Sequence, residues 1–121
     1  MNGLSYAYLG DAYFELYVRK YILGKGITKV NELHKKAISY TSSKAQAKMI
    51  AHFVENNILS KEELDAFKHG RNGAHFGRKN VDGFTYQQAT GFESLIGYLS
   101  TTNEARCIEL IELGIEYLEN S

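Results

Sequence analysis

Apolar residues in this chain recur at helical spacing, and no run of β-branched residues alternates with polar ones at the two-residue period of a half-buried strand. The pattern predicts about six helices, and the absence of proline fits long helices with few sharp breaks. The first runs from Gly3 to Leu23 and stops at the Gly24–Gly26 turn. Thr28 reads as the N-cap of a second, ending near Ile38. Ser42 or Ser43 opens a third, with Ala45, Met49, Ile50, Phe53 and Val54 at helical spacing and Asn56 and Asn57 closing it. Ser60, Lys61, Glu62 and Glu63 form a capping-box pattern for a fourth helix, through Lys68. The polar, glycine-bearing stretch Gly70–Gly83 reads as a loop. A fifth helix spans Thr85 to Ser100. Asn103 caps the last, in which Cys107, Ile108, Leu110, Ile111, Ile115 and Leu118 face the core and Glu104, Glu109, Glu112, Glu116 and Glu119 form a solvated face.

Two of these apolar stretches contain an anomaly. From Leu4 to Val18 the charged residues are Asp11 and Glu15 alone, and Gly10 directly precedes Asp11. From Ala89 to Leu99 the one charged residue is Glu93, flanked by Gly91 and Gly97. A carboxylate in apolar surroundings costs several kcal/mol unless something cationic holds it. A glycine inside a helix costs about 1 kcal/mol relative to alanine, and close approach of two helix backbones is one reason to tolerate it. The two stretches therefore predict helices that bring acids together. A divalent metal between Asp11 and Glu93, or an internal ion pair with lysine or arginine, satisfies the pattern equally. Glu15, one turn beyond Asp11, is a weaker candidate.

Composition narrows the choice of chemistry. At 121 residues and 44% apolar content, the chain fits one globular domain over residues 1–121. No apolar run approaches the roughly 20 residues of a membrane span, and the N-terminus lacks the features of a signal peptide, so a cytoplasmic protein is expected. The single cysteine, Cys107, excludes an internal disulfide and a cysteine zinc cluster. No Glu-x-x-His, His-Asp, His-Glu-x-x-His or phosphate-binding glycine motif occurs. Oxygen-ligand chemistry remains, and Mg²⁺ prefers carboxylates and retained waters.

Net charge is zero, but its distribution is uneven. Lys68, Arg71, Arg78 and Lys79 share a window without acids, a local patch able to bind phosphate or simply to face solvent. Lys35, Lys36, Lys44 and Lys48 would extend such a footprint. Nine tyrosines is a high count, and Tyr6, Tyr8, Tyr13, Tyr17 and Tyr21 all fall on the first helix. An aromatic stripe of this kind serves a core or a dimer interface more often than base stacking.

Tyr8-Leu9-Gly10-Asp11-Ala12 resembles the signature helix of the ribonuclease III family, and Gly91-Phe92-Glu93-Ser94-Leu95-Ile96-Gly97 resembles that family's second metal-binding helix. Asn2-Gly3-Leu4, Glu15-Leu16-Tyr17-Val18-Arg19, Gly70-Arg71-Asn72, Arg78-Lys79-Asn80-Val81-Asp82 and the run from Tyr86 to Glu93 are similar to one branch, Mini-ribonuclease III, which lacks a double-stranded-RNA-binding domain. The resemblance implies an all-α, ribonuclease III-like endonuclease domain working as a homodimer. It implies Mg²⁺, with Mn²⁺ able to substitute, held by Asp11 and Glu93. The implied reaction is hydrolysis of double-stranded RNA by water activated at the carboxylate-bound Mg²⁺, leaving 5′-phosphate ends. The implied natural substrate is the base-paired stalk of the large-subunit ribosomal RNA precursor, with a ribosomal protein as a possible further partner and no membrane role. Arg71, Asn72, Arg78, Lys79 and Asn80 are the expected RNA-binding residues.

The chain departs from the wider family pattern at two places. Ala7 stands where a glutamate is expected four before Asp11, and Thr90 where an acid is expected three before Glu93. Two of four carboxylates are missing, so one firmly held ion is expected, with Tyr6, Thr90 or water around it. The same loss motivates a competing reading, a catalytically silent helical dimer that binds RNA or a ribosomal protein. A third is a helical interaction module without an RNA role.

Overall fold

In the computed structural model the described residues are 1–74 and 82–121. They form six α-helices: α1 (Gly3–Gly24), α2 (Val30–Thr41), α3 (Ser43–Glu55), α4 (Lys61–Gly73), α5 (Gly83–Thr102) and α6 (Glu104–Glu119). Local chemistry sets most of the starts. Asn2, Ser42, Asp82 and Asn103 each accept a hydrogen bond from a backbone N–H in the first turn of the helix they precede. Ser60 and Glu63 complete a reciprocal capping box at α4. The exception is α2, whose N-cap is Lys29 and not Thr28, with no side-chain cap bond. This helix also continues past Ile38 to Thr41, where Ser42 turns the chain into α3.

Helix α5 is the axis of the fold. It packs against α1, α3, α4 and α6, and nine of its residues are buried, which explains its nearly uninterrupted apolar sequence. Phe14, Val18 and Ile22 of α1 meet Phe92, Leu95, Ile96 and Leu99 of α5 in one core with Met49, Ile50 and Phe53 of α3 and Leu110 and Ile111 of α6. Phe14 and Phe92 pack edge to face at 5.1 Å. Each such buried side chain contributes about 1.5–3 kcal/mol of transfer free energy.

One expectation is corrected, and another extended, by packing between distant segments. Helix α4 continues beyond Lys68 through Gly73, so Gly70, Arg71 and Asn72 are helical and the expected loop begins later. The reason lies on α5: Gly70 is buried, and a methyl group on it would collide with the Ser94 side chain. Packing thus outweighs the poor intrinsic helix propensity of this segment. The glutamates of α6 form the expected solvated face, but three of them also take tyrosine partners. Tyr13 donates to Glu104 at 2.8 Å, Tyr17 to Glu112 at 3.5 Å, and Tyr21 and Tyr40 both to Glu119 at 2.7 Å. Glu109 pairs with Arg106, and Glu116 is exposed. The tyrosine stripe of α1 therefore bridges to α6, while all five glutamates stay exposed, as expected of a solvated face. Ile108 and Leu118 are half-buried at the rim of the α6 core face.

Candidate active site

The seam between α1 and α5 is closed by glycines. An alanine methyl at Gly10 would collide with the Glu93 carbonyl oxygen, and one at Gly97 with the Tyr6 carbonyl oxygen. The two backbones therefore cross in direct contact, which no larger residue permits. Asp11 follows Gly10 on the exposed side of α1, and Glu93 is half-buried at the crossing on α5. Asp11 is close enough to Glu93 to act on its carboxyl group.

The electrostatics of this pair are unusual. Burial pushes the Glu93 carboxyl up, and Asp11 pushes it further through a hydrogen bond and like-charge repulsion. The Gln46 side chain on α3 pulls in the other direction. The result is about 8, so Glu93 keeps its proton at neutral pH unless a cation arrives. Neither Asp11 nor Glu93 forms a salt bridge among the described residues, and the ion-pair alternative has no support there. Two crowded oxygen donors without a counter-cation fit a divalent ion of the Mg²⁺ type. No group of three or more histidine, cysteine, aspartate or glutamate side chains placed to hold a metal occurs among the described residues, so water or substrate phosphate would complete such a site.

Ala7 and Thr90 are both buried beside the seam. The Thr90 hydroxyl donates to the Tyr86 carbonyl at 2.9 Å, and the Tyr6 ring packs edge to face on Tyr98 at 5.6 Å. Neither observation supports the supporting role expected of Thr90 and Tyr6. Gln46 is the polar neighbour that the sequence reading missed. Its signal was present: Gln46 shares a helix face with Met49, Ile50 and Phe53, a polar residue in an apolar register. Glu15 lines a cavity between α1 and α2; its Oε2 is buried without a hydrogen-bond partner, and Arg19 Nε stands 3.8 Å from it.

The expected RNA-binding residues divide. Arg71 and Asn72 occupy the last turn of α4, where Arg71 Nε donates to Asn72 at 3.0 Å and its guanidinium lies over the Phe67 ring. That turn is held near the start of α1, since Gly3 abuts the His69–Gly70 backbone. Arg78, Lys79 and Asn80 fall outside the described residues. Lys35, Lys44 and Lys48 are exposed, whereas Lys36 lies over the Tyr40 ring.

A helical domain with paired carboxylates at a glycine-closed crossing matches a known class. The Ribonuclease III domain model matches residues 4–104, and the chain belongs to that family. Its branch within the family is that of the Mini-ribonuclease 3 proteins, which are endoribonucleases. The Mini-ribonuclease 3 of Acholeplasma laidlawii is 54% identical over 119 residues, covering 98% of this chain and 95% of that protein. The Streptococcus pneumoniae Mini-ribonuclease 3 is 42% identical over 121 residues, covering 98% and 94%. A crystal structure of a Fusobacterium nucleatum protein superposes with a TM-score of 0.84 at 29% identity, covering 96% of this chain and 93% of the other. No helix among the described residues is long and apolar enough to cross a membrane.

Proposed function

We propose that this chain is a Mg²⁺-dependent endonuclease for double-stranded RNA, with Asp11 and Glu93 as the metal-holding and catalytic carboxylates. The observation that carries the reading is the crowding of these two groups at the α1–α5 crossing without a cationic partner among the described residues. Mg²⁺ held there supplies activation of water and stabilisation of charge on the departing 3′ oxygen, leaving 5′-phosphate ends; Mn²⁺ substitutes. The chain's own contribution is positional. Gly10 and Gly97 fix the separation of the two helices, exposed Asp11 meets the approaching phosphate backbone, and half-buried Glu93 backs it from the crossing.

The remaining parts of the reading follow the same surface. A-form RNA is read by its shape, phosphates and 2′-hydroxyls, and Arg71, Asn72, Arg78, Lys79 and Asn80 supply the grip. The natural substrate is the large-subunit ribosomal RNA precursor stalk, in the cytoplasm, with a ribosomal protein as a further partner. A homodimer presents two sites to two strands. Leu4, Tyr8 and Leu16 support it: all three are exposed on α1, Tyr8 at 85%, leaving an apolar helix face uncovered.

Cleavage of a long RNA duplex with Mg²⁺, wild type against Asp11→Asn, tests the proposal. The wild type cuts and the variant does not. Absence of cutting by the wild type at low salt with Mg²⁺ or Mn²⁺ favours the silent RNA-binding dimer. Absence of salt-sensitive RNA binding as well favours a module without an RNA role.

A further inference from the structure

A second cavity, of about 250 Å³, opens between α1, α4 and α5. Buried Ser94 and the half-buried rings of Tyr6 and Tyr98, packed edge to face, line it, and exposed Glu62, Asp65 and His69 of α4 stand at its rim. Lys61 and Lys68 of the same helix are exposed but do not line it, and neither does any arginine. Glu62 lies in the first turn of α4, where the helix dipole favours an acid, but Asp65 lies a turn further on and needs another reason. Neither acid forms a salt bridge among the described residues, and the two do not combine with His69 into a group placed to hold a metal. Another part of the molecule shows what completes such a cluster. Tyr21 donates to Glu119, and Lys25 Nζ lies 4.9 Å from the centre of the Tyr21 ring and 3.8 Å from that carboxylate. Tyr98 donates to Glu62 at 3.4 Å in the same manner, with Asp65 lining the same cavity. Here tyrosine and carboxylate are present, and the cation has to come from outside the cleft.

We infer that the α1–α4–α5 cleft is a docking site for an arginine side chain on a basic segment of a partner protein. Charge complementarity selects the occupant. A guanidinium stacks on an aromatic ring, its fork of N–H donors meets carboxylates, and its aliphatic stem lies along apolar walls. Arg71 over the Phe67 ring is the same contact made within this chain. Two acids without a lining base repel a phosphate backbone, so RNA is the wrong occupant of this face. Proteins that bind RNA are rich in the arginine and lysine that this cleft attracts. A side chain seated there touches α1, α4 and α5 together, the helices that flank the glycine-closed crossing. The recognition stands on the cleft alone and does not depend on Asp11 and Glu93 being a metal-holding pair.

The test is a nuclear magnetic resonance titration of the full chain with the peptide acetyl-Gly-Ser-Arg-Ser-Gly amide, following the ring resonances of Tyr6 and Tyr98. The arginine peptide moves both rings. The same peptide with citrulline, which keeps the shape and loses the charge, binds about tenfold more weakly. Glu62→Gln combined with Asp65→Asn weakens the arginine peptide by about tenfold as well. Glu116→Gln, which removes an exposed acid of α6, leaves binding unchanged. Rings that stay still, equal binding of the citrulline peptide, or equal weakening by Glu116→Gln each overturns the inference. So does duplex RNA that moves the same rings of the Asp11→Asn variant more than the arginine peptide does, which assigns the cleft to RNA. If the double variant fails to fold, the comparison of arginine with citrulline on the wild type decides.

Discussion

Helix α1 carries two seams that use carboxylates in opposite ways. Along α6, Glu104, Glu112 and Glu119 each accept a hydrogen bond from a tyrosine hydroxyl. The Tyr21 and Tyr40 hydroxyls hold Glu119 below the usual carboxylate range. Along α5, Asp11 and Glu93 face each other, and Glu93 is driven well above that range. The first arrangement satisfies its charges and fastens one helix to another. The second crowds two carboxyl groups so that Glu93 keeps its proton at neutral pH, which a fastening role does not explain and a bound cation would reverse. Strongly displaced carboxyl groups at a crossing of this kind mark chemistry more often than architecture.

The comparison is broken most severely at the α1–α5 seam. Asp11→Asn is expected to lower the rate of duplex cleavage by about 10³-fold or more, several kcal/mol of lost charge stabilisation. Its thermal unfolding without metal stays the same or rises above pH 8, where Glu93 is ionised and a like charge beside it is removed. Gly10→Ala adds a methyl against the Glu93 carbonyl, which is backbone and yields little. It is expected to cost about 3 kcal/mol in chemical denaturation and to abolish metal binding in whatever folds.

A third site calibrates what an ordinary structural pair does. Arg106 donates to buried Glu63 at 2.9 Å and to the Ile58 carbonyl at 2.8 Å. Arg106→Met strands the Glu63 charge and is expected to cost about 3 kcal/mol, read by denaturant titration, while leaving metal binding intact. Burial raises the Glu63 carboxyl, but Arg106 and the Ser60 backbone N–H outweigh it and the net direction is down. Its contribution is therefore present above the unfolded carboxylate pKa and is lost as pH falls through the folded one. Glu93 behaves in the opposite sense. Its folded value of about 8 lies above the ordinary 4.5, so its contribution is present in acid and is lost as pH rises from 4.5 through 8. Metal-free protein should thus lose melting temperature over that interval, and Asp11→Asn should flatten the slope.

The smallest effect belongs to the α6 seam. Tyr13→Phe removes one partly exposed hydrogen bond and is expected to cost about 0.5–1 kcal/mol with cleavage unchanged. A large loss of cleavage there would show that the two seams are not separable.

These differences also mark what was legible beforehand. Ser60, Asn103 and the apolar registers of α1, α5 and α6 act within a few residues, so pattern alone finds them. The helical state of Gly70 depends on Ser94, and the α6 ladder on tyrosines some 90 residues earlier in the chain. Asp11 and Glu93 stood out because each breaks an apolar run beside a glycine. Gln46 broke a similar run, but an amide carries no charge to draw attention, and its burial becomes evident only when α3 lies on α5. In the sequence Arg71 and Asn72 read as part of the loop Gly70–Gly83, yet they belong to α4.

Crystals grown with Mn²⁺ and duplex RNA test the central claim most directly, through anomalous scattering from the ion. The account predicts a peak in contact with both the Asp11 and the Glu93 carboxylates, at roughly 2.0–2.2 Å. Both carboxylates engaged by lysine or arginine side chains, with the ion elsewhere, would contradict it.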